Sequence, residues 1–557
     1  MISIMIRVVV FTVTIVGLFS NIVLAQGLQK QLRDSDAPVA MPSAELAELG
    51  DPLFQLVLKD HVDTVTLDGV EALLQPDPAK RQLFVVGERV AELNTASSLR
   101  AVLTFQGTVN GIVLSPNVML SVIFNKDVFP VNSASGLSFV EAWGWDDARS
   151  RFNYYKLDKT NGIMSWKFRG SSIGADQLSN IQRSQTCFQC HLNGGPVMKE
   201  LLIPWNHWHG DFPLRQLDPT EMPPVRWNVA TLPRFNGGLK IAFQLDPQIR
   251  SSIKTFVQAR VQDSLAPAPA GLRTVKEAPR LLRSLFMTTE FNIISSRVQS
   301  NRHPLSSQVL GQPALPVSIP ASFFLNADFI AGGGQPDFKG LEINEALRFP
   351  GMGIADLTPQ EYVNLVQSSG LKVDGKLGDA IFSWLVPEPS NFDNQMCDVL
   401  VRRGLVPGQF AAAVQAIDLR TPVLSVPRAK LLKFIPAEFK IGAANPTDPM
   451  DETFFSNHDL TQKVIQSLEA TNPVDGSVEA EFLSMLRREA GPPLDVLRER
   501  VKNYAMELQT DLHDPSTRPS RLQEFFEKLL DTRKRVLEDP RLGNLDETGG
   551  KLLFPKP

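Results

Sequence analysis

Two of the three cysteines in the 557-residue chain and one of its seven histidines fall within five positions, Cys187-Phe188-Gln189-Cys190-His191. C-x-x-C-H is the spacing at which two thiols add across the vinyl groups of a haem, and the histidine that follows supplies an axial nitrogen to the iron. The alternatives for such a pair are a disulfide, a redox dithiol or half of a zinc site. Zinc would want two more soft ligands at similar spacing, and only Cys397 remains, alone. A thioredoxin-like dithiol would open a helix after a strand in a βαβ unit, a pattern the surrounding sequence lacks.

The elements that must position this motif follow from the order of the chain. Residues 1–25, MISIMIRVVVFTVTIVGLFSNIVLA, carry one Arg7, an apolar run from Val8 to about Val23, and small residues before Gln26. That is the pattern of a secretory signal cleaved after Ala25, which predicts an exported, periplasmic protein. About 530 residues then remain, enough for several domains. Residues 26–80 read as an extended, proline-bearing N-terminal arm, with parts such as SAELAEL open to a helical reading. Residues 81–175 read as a β-rich domain, with strands at LFVVGERV, RAVLTFQG, VMLSVIF, FVEAWGW, FNYYKL and MSWKF between Gly, Asn and Asp turns. Alternation in 117–124 and 151–157 predicts an antiparallel sheet with one buried face, as a small sandwich or curved meander.

The haem-attachment segment spans 176–235, where Asn193-Gly194-Gly195-Pro196 stops any helix directly after the motif. Residues 236–425 read as a helical domain with loops and 426–557 as a charged helical region. Helices are expected over SIKTFVQARVQ, EAPRLLRSLFMTTEFNIISSRV, Glu361–Ser369, Leu377–Leu385, Met396–Arg403 and Gln409–Ile417, with LAPAPAG (265–271) as a linker or exposed bend. Thr358-Pro359-Gln360-Glu361 and Ser520-x-x-Gln523 read as helix starts. The predicted fold class is α+β: an antiparallel β-rich N-terminal region leading into a c-type haem site, followed by a mainly α-helical C-terminal half.

The sixth position of the iron is set by reach. A path from His191 around the porphyrin rim takes roughly 25 Å, about seven fully extended residues. Met198 lies barely at that limit. His207 and His209, in the aromatic cluster Trp205-Asn206-His207-Trp208-His209, reach easily and rank first as distal ligands. Met222, between Glu221 and Pro223-Pro224, comes next, then Met352 in FPGMG; an empty or water-filled position competes with all of them. The WNHWH stretch is equally readable as a core with satisfied histidines.

The rest of the sequence announces no other chemistry. A hydrophobic content of 43% is ample for packed cores, and a net charge of −4 offers no basic excess for nucleic acid. No stretch after the leader is long enough to span a membrane. No H-E-x-x-H, G-x-S-x-G or Walker motif occurs, and Ala331-Gly332-Gly333-Gly334 is a turn rather than a phosphate loop. His61, His303, His458 and His513 lack partners at ligand spacing and read as structural or surface residues. Asp146-Asp147 and Lys59-Asp60-His61 read as turn or surface groups, and Cys397 as an inert buried thiol.

CFQCH behind a leader resembles the c-type cytochromes, over little more than the motif itself. The resemblance implies thioether links at Cys187 and Cys190, axial His191, one covalently bound haem c, and a redox partner protein. Simple electron carriers of that class are much shorter, with the motif near the start; here it lies deep in the chain. A second likeness is to the β-sheet cytochromes that oxidise hydroxylamine or bind nitric oxide, whose β domain also runs into a terminal CxxCH after an aromatic strand. Those proteins carry a lysine cross-linked to the porphyrin, for which Lys156 and Lys167 are the candidates. A single motif disfavours the two-haem peroxidases. Three functions remain open: electron transfer as part of a larger redox protein, a haem oxidoreductase acting on peroxide, oxygen or a nitrogen oxide, and a structural or sensory haem subunit of an exported complex.

Overall fold

The computed structural model describes residues 27–86, 98–125, 137–160, 162–172, Cys187, His191, 194–196, 239–287 and 391–538 (423, 443 and 445 excepted). Short strands lie at 292–293, 317–320, 354–357, 372–373, 376–377 and 551–552. Six strands form where β-branched and aromatic residues alternate between turn residues: β3 (Arg81–Val86), β4 (Ser98–Phe105), β7 (Val118–Asn125), β8 (Leu137–Asp146), β9 (Arg151–Thr160) and β10 (Ile163–Ser171). Each pairs antiparallel with the next, so they make one continuous meander. A small hairpin, β5 (Thr108–Val109) with β6 (Ile112–Val113), turns at Asn110-Gly111, both at positive φ.

The sheet is mixed rather than purely antiparallel. Its edges are closed by β1 (Gln29–Lys30), parallel to β10 and extended by β2 (Val39–Ala40), and by β11 (Leu239–Ile241), parallel to β3. These edge strands come from remote parts of the chain, so no hairpin forces them antiparallel.

Both faces of the sheet are buried, against the expectation of one. On one face Leu83, Leu103, Phe105, Leu120, Val140, Ala142, Tyr155, Leu157 and Trp166 meet residues 28–74. On the other, Phe84, Val102, Met119, Trp143, Trp145, Phe152 and Tyr154 join a single core with the helical half. The N-terminal arm is helical at Ser43–Leu46, within the SAELAEL stretch open to that reading, and elsewhere it is not the extended arm expected. It folds into a π-helical turn, Phe54–Leu58, and a helix, Leu67–Leu74, whose Thr66 accepts from Gly69 N–H. Leu53, Val57, Val70 and Leu74 are buried, a layer of burial worth roughly 1.5–3 kcal/mol per side chain.

Asp51 pins this layer to the sheet. Fully buried, it accepts from Tyr155 Oη at 2.5 Å, Asn153 Nδ2 at 2.8 Å and Phe54 N–H at 3.0 Å. A Cβ on Gly144 would lie 2.3 Å from the Asp51 carboxylate oxygen, so only glycine leaves room for this contact. Asp146 is a turn residue as expected, yet buried: it accepts from Gly50 N–H at 2.9 Å and Arg149 N–H at 3.2 Å.

The helical half starts with Asp246–Asp263, which carries Ile249, Ile253, Phe256, Val257 and Val261 into the shared core. The segment expected as one long helix over 277–298 is instead two short turns, Ala278–Leu281 and Arg283–Phe286, followed by a strand at Asn292–Ile293. Leu265–Pro267 is not a free linker: it pairs with Arg273–Val275, which pairs with Phe439–Ile441. The helices Asn391–Arg402 and Gly408–Ala416 form at the expected Met396–Arg403 and Gln409–Ile417, the first beginning five residues earlier. All nine residues of the second are buried, its polar members satisfied: Gln409 donates to Met450 O, and Gln415 donates to Leu285 O and accepts from Arg428. The last helix begins at Arg518, two residues before the expected Ser520 start, because Pro519 is accommodated in the first turn. Of the other expected helices, Glu361–Ser369, the Thr358 helix start and nearly all of Leu377–Leu385 lie outside the described residues; Leu377 itself closes the strand Lys376–Leu377.

Candidate functional site

Cys187 and His191 are brought together by one turn. The His191 N–H donates to Cys187 O at 2.9 Å, an α-helical i to i+4 bond, and Gly194 N–H returns to His191 O at 2.8 Å. Gly194 closes the turn at φ +75°, a conformation that glycine adopts at no steric cost. Gly194, Gly195 and Pro196 are buried, and Cys187 packs partly buried against the shared core.

The His191 ring is oriented by the same turn. Its Nδ1 lies 3.0 Å from Gly195 O. A carbonyl oxygen only accepts, so Nδ1 carries the proton and the lone pair of a neutral ring is on Nε2. That is the tautomer a metal-binding histidine needs, with its second nitrogen steadied by a backbone carbonyl.

The sheet supplies the support beneath. Tyr154, on β9, points from the helix-covered face and places its hydroxyl 2.7 Å from Gly194 O and 3.0 Å from Gly195 O. Its ring lies 5.0 Å from the His191 imidazole, centroid to centroid. Two residues along the same face, Phe152 meets Trp143 edge-on at 4.9 Å, Trp145 at 4.8 Å and Phe256 at 5.8 Å. Such aromatic pairs contribute about 0.5–1.5 kcal/mol each beyond their burial. Phe256 in turn limits the turn: a Cβ on Gly195 would come within 2.8 Å of its Cδ1.

Lys156 and Lys167 stand opposite each other in the β9–β10 register. They lie on the same face as Tyr154, but both are engaged in ion pairs. Lys167 is buried, bonded to Asp158 and to Thr160 Oγ1 at 2.5 Å; Lys156 pairs with Asp158 at 3.3 Å and Asp34 at 3.8 Å. Arg169, also buried, binds Gln31 and Asp34. Burial, reinforced by Arg169 and Lys156, lowers the Lys167 ammonium to about 8. These contacts clamp the edge strand and the arm onto the sheet.

Residues 1–25, Cys190, Met198, Trp205, His207, Trp208, His209, Met222, His303 and Met352 lie outside the described residues. Cys397 is buried in the helix Asn391–Arg402, and that burial raises its thiol far above the usual range, in keeping with an inert role. His458 is buried as a helix cap, accepting from Leu460 N–H, while His61 and His513 are exposed. Among the described residues no three His, Cys, Asp or Glu side chains converge as a metal-ion site, and no helix is long and apolar enough to cross a membrane.

Tyr154 and Phe256 are the site residues that sequence reading missed, while Gly195 was read only as part of the stop after the motif. The paired tyrosines of FNYYKL were the available signal, since adjacent strand residues point to opposite faces and each buried phenol needs a partner. No family model matches the chain, and no curated protein or solved structure matches it.

Proposed function

We propose that the chain is an exported c-type cytochrome that transfers electrons, holding one haem covalently through Cys187 and Cys190 with His191 as an axial ligand. The observation that carries this reading is the His191 turn. It sets Cys187 and His191 one helical turn apart and engages Nδ1 with Gly195 O, which leaves Nε2 as the ligand nitrogen. Haem, when bound, supplies one-electron exchange at a potential set by its axial ligands, hydrogen bonding and burial.

The chain's own residues do the rest. The Gly195 carbonyl holds the imidazole proton on Nδ1, which makes Nε2 more basic. The buried aromatic side chains of Trp143, Trp145, Phe152, Tyr154 and Phe256 exclude water from the flank of the turn. His207 and His209, then Met222, have the chemistry and the reach that would let them hold the iron together with His191, an empty or water-filled position being the alternative.

The test is the reduced visible spectrum, with and without carbon monoxide, of the wild type and of Cys187→Ala with Cys190→Ala. The wild type should carry covalently bound haem with sharp bands that the gas leaves in place. Covalent haem retained by the double variant would refute the attachment site. A large shift with carbon monoxide would mean an accessible iron and would redirect the work to peroxide and nitrogen oxides.

A further inference from the structure

Tyr154 and Tyr155 are neighbours on β9 whose hydroxyls leave the sheet in opposite directions. Tyr155 is bound to Asp51 on the N-terminal side; Tyr154 reaches the carbonyls of Gly194 and Gly195 on the other. The loop's own backbone bonds, His191 N–H to Cys187 O and Gly194 N–H to His191 O, fix where residue 191 sits but do not touch its ring. The ring is held by Gly195 O, and Tyr154 is the side chain that holds that carbonyl from the sheet.

A phenol has a single proton, while a carbonyl oxygen has two lone pairs. The Tyr154 proton is therefore shared between Gly194 O at 2.7 Å and Gly195 O at 3.0 Å, and Gly195 O can still accept from His191. We infer that Tyr154 is the positioning residue for His191. Its hydroxyl aims the 194–195 carbonyls so that Gly195 O keeps the imidazole proton on Nδ1 and the lone pair on Nε2. The inference rests on the haem reading only for its consequence in the loaded protein; the tautomer is a property of the chain alone.

The experiment uses the full-length, haem-free chain labelled with 15N-histidine, the His191 signals being assigned with His191→Gln. Wild type should show one Nδ1–H tautomer at His191. Tyr154→Phe should move the two ring nitrogens toward each other as the tautomers mix. Tyr155→Phe removes an equally buried hydroxyl from the same strand and should leave His191 where it is. In the haem-bearing protein, Tyr154→Phe should raise the midpoint potential, because a weaker Nδ1–H bond makes a poorer electron donor to ferric iron.

Unchanged His191 nitrogens in Tyr154→Phe, or an equal change in Tyr155→Phe, would overturn the assignment. If Tyr154→Phe fails to fold, 3-fluorotyrosine incorporated at all four tyrosines keeps every hydroxyl while altering its acidity, and should still shift the His191 nitrogens. No shift there overturns it equally. A chain that never acquires haem yet shows these shifts would refute the functional reading and leave the positioning role intact.

Discussion

Gly195→Ala tests the contact between the His191 turn and the helix Asp246–Asp263. Gly195 is not in the left-handed region, so alanine meets no backbone penalty, and any effect comes from the new methyl. That methyl would lie 2.8 Å from Phe256 Cδ1 and 3.1 Å from its Cε1. Phe256 cannot swing away cheaply, being buried and packed against Phe152 at 5.8 Å and Phe392 at 6.4 Å. Overpacking of this kind costs about 1–3 kcal/mol. Phe256→Leu alone leaves a small cavity and costs on the order of 1–2 kcal/mol. Combined, the smaller side chain makes room for the methyl. The double variant should then be more stable than the sum of the two losses predicts, by about 1–2 kcal/mol of coupling. Chemical denaturation of all four proteins in one haem state measures the cycle. Additivity within about 0.5 kcal/mol would refute the idea that the turn is held against this ring.

Two further predictions concern buried titratable groups. Burial holds His458 down at about 4 against an ordinary 6.5. The unfolded chain thus binds this proton more tightly than the folded one, and stability present above pH 6.5 is lost as pH falls toward 4, by about 3 kcal/mol in all. His458→Asn keeps a capping side chain without the titration, so the difference between its pH–stability curve and the wild type's should be confined to that window. A flat difference curve would refute the assignment. Asp51 has the opposite sign: burial raises its carboxyl above 3.8, so the folded chain holds the proton more tightly, and its contribution weakens as pH rises through the window above that value. Asp51→Asn should remove this dependence. It should also cost about 1–3 kcal/mol in thermal or urea unfolding at neutral pH, since its amide turns a donor toward one of Tyr155, Asn153 or Phe54.

The strands were legible because their residues alternate cleanly and Asn-Gly turns punctuate them. What stayed hidden was the number of buried faces. In the alternation of Arg151–Leu157, Asn153 and Tyr155 share one face, which suits water as well as core because a phenol and an amide are polar. In the fold Asn153 and Tyr155 are buried because Asp51, about a hundred residues earlier, satisfies them. The N-terminal arm was misread for a related reason. PLFQLVLKDH packs Leu53, Phe54, Leu56, Val57 and Leu58 too densely to show helical periodicity, and it winds into a π-turn. Of the candidate site, Cys187 and His191 stand out in the sequence because they fall within five consecutive residues, and one backbone hydrogen bond joins them in the fold. Tyr154 and Phe256 do not stand out, since they come from 33 residues before Cys187 and 65 after His191.

That separation bears on why so long a chain surrounds one short motif. Among the described residues of the turn, Gly194 and Gly195 bring no side chain to pack with. Its geometry is borrowed. Tyr154 holds it from the sheet and Phe256 limits it from the helix. The covering of the far face is the layer of residues 28–74, pinned through Asp51 to Tyr155, the next residue on the same strand. A shorter chain could carry the five residues of the motif. It could not also supply Tyr154 from the sheet and Phe256 from the helix, the two side chains that approach Gly194 and Gly195.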